Sequence, residues 1–312
     1  MAGSGRAHLV GKLPSLAEYV DRLDGEEPER TFGDVLDRAG GYAAHEGGAR
    51  WCAAYDGGGA LGFLFRPSMR APRAILGTMT PSQDSVGRRY PLMAVATLTD
   101  DVLSPGMAFL PAAASSFLGG LGSALRDARA TGRADVAAQA LAQLAAPEPA
   151  DVKRTADDFA RWIETPGLVP KLWKSLFPRG RAEDALAAMQ AVSRFGGYVH
   201  LGAGECRYIR CPLGRGGGAA ASFWLSALMR AAGGDEMISS AFWSLEGDGT
   251  LFVVFARQPP IDFWLRLWMD DRRDTVGATI DGEPPASALA AAIRSKDARI
   301  NDVLERLSAG GS

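Results

Sequence analysis

The sequence has few of the residues from which metal centres and disulfide frameworks are built. Its 312 residues include only three cysteines and three histidines. These are Cys52, Cys206, Cys211, His8, His45 and His200. Their number and spacing fit neither a disulfide framework nor a cluster of metal ligands. We therefore expect a protein of a reducing compartment that holds no metal.

The sequence also lacks an excess of charge and long apolar runs. Its 34 basic and 36 acidic residues give a formal net charge of −2, so bulk electrostatics favour neither nucleic acid nor an anionic membrane surface. No apolar run approaches the roughly 18 residues that a membrane-spanning helix needs, and the first residues lack the apolar core of a signal peptide. We expect a cytoplasmic protein without membrane insertion.

Common catalytic motifs are missing, with one partial exception. There is no G-x-S-x-G elbow, P-loop or H-E-x-x-H pair. Residues 214–219 read GRGGGA, from Gly214 to Ala219, and fit the dinucleotide fingerprint, with Asp235 and Glu236 about twenty residues further on. The alternative interpretation is a glycine-rich connection that allows close packing. A nucleotide-cofactor enzyme remains the alternative to a non-enzymatic protein, and we expect no catalytic residues and no cofactor.

Apolar runs and glycine-rich turns predict an α/β (α+β) fold. Short aliphatic and aromatic runs near both ends of the chain predict strands, and residues 56–59, DGGG, look like a hairpin connection between two of them. Tight turns join antiparallel neighbours, so we expect mixed, mostly antiparallel sheets covered by helices. A second hairpin is predicted around the Gly-Ala-Gly of residues 202–204, and a final helix from about Ala286 to Leu307.

The same patterns divide the chain into three parts. Residues 1–130 are predicted to form an N-terminal α/β domain, and residues 196–312 a C-terminal α/β part. Alanine-rich segments with high helix propensity dominate residues 131–195. We expect these to form a helical connector between the two α/β parts.

One segment is unusually rich in turn-forming and charged residues. Residues 80–92 read TPSQDSVGRRYPL between two apolar runs, which predicts a loop that leads into a buried strand. Asp84 and Arg88 are four residues apart and can pair across a helical turn, leaving Arg89 as the more exposed arginine. The pair then either locks a structural corner, or the arginines present donors to a carboxylate or phosphate of a partner.

These residues resemble a known family. Residues 81–91, PSQDSVGRRYP, resemble the P-S-x-D-x-V-G-R-x-[F/Y]-P signature of the TagF (ImpM) family of accessory proteins of bacterial type VI secretion. Residues 11–20, GKLPSLAEYV, are similar to that family's opening G-K-L-P-x-x-G-D-F-[VI], with Ala17-Glu18-Tyr19 in place of Gly-Asp-Phe. Residues 240–243 and 259–263 resemble its later S-x-W-W and P-x-x-x-F elements more weakly.

The resemblance implies a non-enzymatic regulatory function. TagF-like proteins act in some bacteria as post-translational repressors of type VI secretion by binding cytoplasmic secretion components, forkhead-associated-domain proteins among them. We therefore expect a cytoplasmic protein-binding regulator, with a structural secretion subunit as a further alternative. The candidate partner-binding residues are Lys12, Ser82, Asp84, Arg88 and Arg89.

Overall fold

Strands from both ends of the chain pair into one antiparallel sheet. The computed structural model describes residues 5–25, 27–68, 71–178, 182–200, 208–234, 238–245, 252–255, 258–269 and 287–308. Within these ranges, eight strands lie in the order β2-β1-β5-β4-β3-β7-β8-β6, and each neighbouring pair is antiparallel. The predicted α/β class with antiparallel strands is thus confirmed, and the strands form a single sheet.

The strands are β1 (His8–Lys12), β2 (Tyr19–Asp21), β3 (Leu61–Phe65), β4 (Arg73–Thr80), β5 (Leu92–Thr99), β6 (Tyr208–Cys211), β7 (Ser240–Ser244) and β8 (Phe252–Phe255). The α-helices are α1 (Glu29–Asp56), α2 (Asp100–Leu103), α3 (Leu110–Ala113), α4 (Ser115–Thr131), α5 (Ala134–Leu141), α6 (Pro149–Ile163), α7 (Val169–Leu176), α8 (Ala182–His200), α9 (Gly217–Ala232), α10 (Phe263–Trp268), α11 (Ser287–Arg294) and α12 (Ile300–Ser308). A short 3₁₀ helix, Met107–Phe109, precedes α3.

Helices cover both faces of the sheet, which explains why its central strands are continuous apolar runs. In β3, Phe63 and Phe65 pack into the hydrophobic cluster that includes Phe32 of α1 and Trp264 of α10. Leu64, between them, points into the second cluster, which includes residues of α4, α8 and α9. Successive side chains of a strand point to opposite faces, so a strand covered on both sides needs apolar residues at every position.

The hairpin predicted at residues 56–59 is wrong. The residues before it end α1, and the glycines connect this helix to β3. Trp51 and Tyr55 are four residues apart and stack with ring centroids 5.0 Å apart, as side chains on one helical face can. Both rings are buried and pack against α10, so tertiary packing outweighs the strand propensity of these aromatic residues.

Two further local predictions are wrong. The predicted arm before residues 202–204 is helical, since α8 extends to His200, and the Gly-Ala-Gly itself lies outside the described residues. The single final helix is two helices, α11 and α12, of which α12 begins after Arg299. The backbone amide of Arg299, the residue before α12, donates to the Asp302 carboxylate in the first turn at 2.8 Å, as in one half of a capping box.

The two outer parts of the chain meet at the centre of the sheet. Residues of β3 pair with β7 along the whole of both strands, from Leu61 with Ser244 to Phe65 with Ser240. The boundaries proposed at residues 130 and 195 stay a prediction. In the described part of the chain no single helix is long and apolar enough to cross a membrane, although the bent pair Met107–Ala113 and Ser115–Thr131 passes by length and composition.

Candidate functional site

The two motifs at residues 11–20 and 81–91 meet around one buried carboxylate. We call these two stretches together the signature corner. The Asp84 side chain is 0% exposed, and its Oδ2 lies 2.6 Å from both Lys12 Nζ and Arg88 Nε. Its Oδ1 accepts hydrogen bonds from the backbone amides of Val86, at 3.1 Å, and Arg88, at 2.8 Å. One side chain therefore holds both loops.

These contacts keep Asp84 ionised. Burial alone would raise the pKa of a carboxylate, since it penalises the charged form. The hydrogen bonds from Lys12, from the backbone and side chain of Arg88 and from the Val86 amide outweigh this, so the pKa of Asp84 is well below its usual value. Charge-assisted hydrogen bonds of this kind are the strong ones.

Lys12 is as enclosed as its partner. Its side chain is 5% exposed, and its Nζ lies 4.7 Å from the centroid of the Tyr19 ring, where the electron-rich face of the ring attracts a cation. Lys12 ends β1, and its carbonyl oxygen accepts a hydrogen bond from the Ser82 hydroxyl at 2.7 Å. A buried ammonium and a buried carboxylate thus join segments that are 72 residues apart in the chain.

Ser82 attaches the corner to α1. Its amide donates to the Tyr55 hydroxyl oxygen at 3.1 Å, and that hydroxyl donates to the Ser82 carbonyl at 3.3 Å. Burial raises the pKa of Tyr55 well above its usual value, so this phenol stays protonated and able to donate. The sequence alone missed Tyr55, because its segment was interpreted as a strand.

The two arginines differ in exposure, and the predicted order is wrong. The Arg88 side chain is 57% exposed, whereas that of Arg89 is 28% exposed. Arg89 is the more enclosed because its guanidinium forms a bidentate pair with Asp56, at 2.9 and 2.6 Å, at the end of α1. Arg88 pairs with Asp84 as predicted and also donates to the Ala17 carbonyl at 2.5 Å, while the rest of its side chain faces solvent.

The structure thus brings the five predicted site residues into one region, but mainly as internal contacts. Lys12, Ser82 and Asp84 are buried. Their role in partner binding stays a prediction.

Two apolar side chains of the corner point outward. Leu16 is 39% exposed and Val86 is 67% exposed, and among the described residues only Ile261 joins them as a large exposed hydrophobic residue. The Ser85 amide donates to the Leu16 carbonyl at 2.9 Å, so the two lie on adjoining stretches of backbone. We call Leu16 and Val86 the apolar tip. The sequence offered one signal for it, aliphatic residues inside turn-rich loops, which the charged residues beside them obscured.

The glycine-rich residues 214–219 serve packing. A Cβ added to Gly214 would lie 1.9 Å from the Ser175 carbonyl oxygen, and one added to Gly218 would lie 2.3 Å from that of Pro111. The strand before them, β6, pairs antiparallel with β8, whereas the dinucleotide fingerprint belongs to a parallel βαβ unit. Asp235 and Glu236 lie outside the described residues. Close approach of the chain to itself accounts for Gly214 and Gly218, whereas Gly217 has a positive φ of 49°.

Within the described ranges, no group of three or more His, Cys, Asp or Glu side chains is placed to hold a metal ion.

A known protein family matches the part of the chain that contains the signature corner. Residues 8–144 match a family described as "TagF N-terminal domain, Type VI secretion system-associated". Among solved structures, the chain is similar to the crystal structure of PA0076 from Pseudomonas aeruginosa PAO1. The two share 16% sequence identity, the match covers 90% of this chain and 99% of that chain, and the TM-score is 0.49. No curated protein sequence matches the chain.

Proposed function

We propose, from the match of residues 8–144 to the TagF N-terminal domain, that this chain is a non-enzymatic regulator of type VI secretion. It binds an unassembled secretion component in the cytoplasm and thereby restrains assembly of the machine. Association with type VI secretion comes from the family. The binding surface and its repressive effect are our proposal.

The observation that supports binding is the apolar tip on a rigid base. Leu16 and Val86 are exposed, while the backbone that carries them is fixed through Asp84, Lys12 and Arg88. A surface already held in one conformation loses little conformational entropy when it binds. Exposed apolar side chains beside a guanidinium are typical of protein interfaces, in which arginine is enriched.

This arrangement divides the work between two sets of residues. Lys12, Ser82 and Asp84 hold the loops together from inside. Leu16, Val86 and the exposed part of Arg88 contact the partner. The proposal therefore places the interface on side chains that protrude from the corner.

The test is purification of the tagged protein from its own bacterium, followed by mass spectrometry of the proteins that co-purify. Val86→Glu should lose the secretion components that the native chain retains, with an unchanged Tm, because Val86 is exposed. The matched control is Ile261→Glu, which charges the large exposed aliphatic side chain that the described residues have outside the corner, and it should retain those components. Retention of the same components by Val86→Glu would reject the apolar tip as the interface.

Repression is tested separately. Deletion of the chain should raise the secreted amount of type VI substrates, and Val86→Glu should behave like the deletion. The bound component should be found free of assembled particles, whereas co-purification with such particles would show a structural subunit. A Tm increase with millimolar dinucleotide would indicate a bound cofactor and count against the non-enzymatic interpretation.

A further inference from the structure

An apolar cavity lies among the helices, and none of the residues proposed as partner contacts lines it. Its volume is about 510 Å³, which is within the range of small-molecule sites. The 3₁₀ helix, α3, α6, α7 and the start of α9 contribute its walls. We call it the aromatic cavity. Its principal lining side chains are Phe109, Phe159, Trp162, Leu172, Ala220 and Phe223.

Four aromatic rings form a continuous wall. The ring centroids of Phe109 and Phe159 are 5.3 Å apart, those of Phe159 and Trp162 are 5.5 Å apart, and those of Trp162 and Phe223 are 6.4 Å apart. Three of these rings are only partly buried, Phe223 being the exception. Apolar surface left facing water is unfavourable, so a molecule that covers this wall with hydrocarbon gains free energy.

The charges at the edge of the cavity do not balance. Asp158 is engaged by the Arg161 guanidinium one turn further along α6. Lys171, on α7, is exposed and has no acidic partner among the described residues. An apolar interior with a free ammonium at its edge is complementary to a molecule that has one hydrocarbon chain and one negative charge.

We propose that the aromatic cavity binds a single-chain anionic amphiphile. The hydrocarbon chain lies against the aromatic wall, and a carboxylate or phosphate head lies at Lys171. Such heads occur on free fatty acids and on lysophospholipids. This inference goes beyond the proposed regulatory function and does not depend on it.

The glycine-rich residues acquire a role in this site. Gly216, Ala219 and Ala220 line the cavity, and the absence of a Cβ at Gly218 lets α9 approach the Pro111 carbonyl. Their small side chains leave space in front of the rings. The motif that resembles a phosphate-binding turn thus helps to form a cavity of different chemistry.

Calorimetric titration of the full chain with octanoate, decanoate and dodecanoate, each below its micelle concentration, tests the proposal. Affinity should rise about fourfold for each added methylene, because each buries a further CH₂ group, until the cavity is filled. Decanol and decyltrimethylammonium should bind at least tenfold more weakly than decanoate. Equal binding of all three heads, or no binding of any carboxylate, would overturn the proposal.

Lysophosphatidylglycerol, compared with dodecanoate in the same titration, separates the two sources of the head. Tighter binding of the phospholipid assigns the site to a lipid phosphate, and tighter binding of the carboxylate assigns it to a free fatty acid. Binding of neither overturns the proposal.

Two variants and one matched control locate the binding. Ala219→Trp places an indole in the cavity from an exposed helical position and should lower decanoate affinity at least tenfold. Lys171→Glu should weaken decanoate binding several-fold, whereas Lys174→Glu should not, because Lys174 is exposed on the same helix but does not line the cavity. Unchanged binding in both cavity variants, or equal weakening by both lysine variants, would show that the amphiphile binds elsewhere.

Sedimentation of the native chain and of Ala219→Trp tests whether a second copy of the chain, and not an amphiphile, covers the cavity. Both should show the same oligomeric state. A native dimer that Ala219→Trp dissociates would mean that a second copy covers the cavity, and the proposal would be wrong. The apolar tip is formed by other residues, so Ala219→Trp should still retain the secretion components. Failure of the cavity proposal can therefore be distinguished from failure of the proposed regulatory function.

Discussion

The signature corner and the aromatic cavity both form where a turn-rich motif meets distant parts of the chain, yet they use burial in opposite ways. In the corner, Asp84 and Lys12 are buried and their charges are satisfied from within. In the cavity, aromatic rings remain partly exposed and the free charge of Lys171 lies at the edge. One region encloses polar groups, and the other leaves apolar groups open.

In both of our proposals the conspicuous motif is not the surface that binds. In the corner, the charged motif residues support two outward aliphatic side chains. In the cavity, the glycines of residues 214–219 let helices approach, and the rings of other helices face the space that results. In both regions the residues that attract attention in the sequence determine shape, and we propose the less conspicuous apolar residues as the contact surface.

The largest effect should come from Asp84→Ala. This change leaves the enclosed Lys12 ammonium without its carboxylate and removes the acceptor for two backbone amides. Loss of one partner from a buried pair is strongly destabilising, so we expect Tm to fall by roughly 10 °C. Differential scanning calorimetry measures this change in Tm.

Ser85→Ala is the control for Asp84→Ala, because Ser85 is exposed in the same loop. It should leave Tm nearly unchanged. The double variant Lys12→Met/Asp84→Ala should lower Tm by less than the sum of the two single variants, since the two side chains share one interaction. Additive losses, or an Asp84→Ala Tm equal to that of Ser85→Ala, would show that the pair does not hold the corner.

A smaller loss is expected from Gly218→Ala, on the cavity side of the comparison. The new Cβ would lie 2.3 Å from the Pro111 carbonyl oxygen and 2.5 Å from Ser115 Oγ, so the backbone must shift. Overpacking of this kind costs about 2 kcal/mol of the free energy of unfolding, which urea denaturation can measure. Gly197→Ala in α8 is the control, because nothing lies within 4 Å of its added Cβ. It should be neutral or stabilising, and equal losses in both variants would contradict the packing role.

Much of the sheet could be predicted from the sequence because its signal is local. The runs that form β3 and β5 are apolar at nearly every position, as strands covered on both faces must be. The end of α1 could not be predicted so easily, because Trp51 and Tyr55 are typical strand residues and their helical stacking depends on the packing of α10 beneath them.

The candidate site was less predictable because its contacts are long-range. The local pair of Asp84 and Arg88 follows from their spacing. The contact of Asp84 with Lys12 spans 72 residues, and the bond of Arg89 to Asp56 depends on where α1 ends. The aromatic cavity combines segments from residue 109 to residue 223, so spacing along the chain contains no signal for it.

Acid should weaken the corner selectively. The folded-state pKa of Asp84 is below its unfolded value, so the unfolded state takes up a proton first as pH falls. The stabilisation is fully present above about pH 5, where the unfolded carboxylate is also ionised, and is lost progressively below the unfolded pKa of about 4. The difference in Tm between the native chain and Asp84→Asn should therefore narrow from pH 5 to pH 3, and a constant difference would show that the ionised carboxylate is not what stabilises the fold.

The smallest effect should come from Arg89→Gln. Its pair with Asp56 is bidentate and its shortest contact, 2.6 Å, equals that of Arg88 with Asp84, but Asp56 is 48% exposed whereas Asp84 is buried. Water solvates the separated charges of a half-exposed pair, so its loss should cost less than about 1 kcal/mol in urea denaturation. Salt should reduce that cost further, because exposed charges are screened. A loss as large as that of Asp84→Ala would mean that Arg89, and the end of α1 with it, belongs to the structural support of the corner.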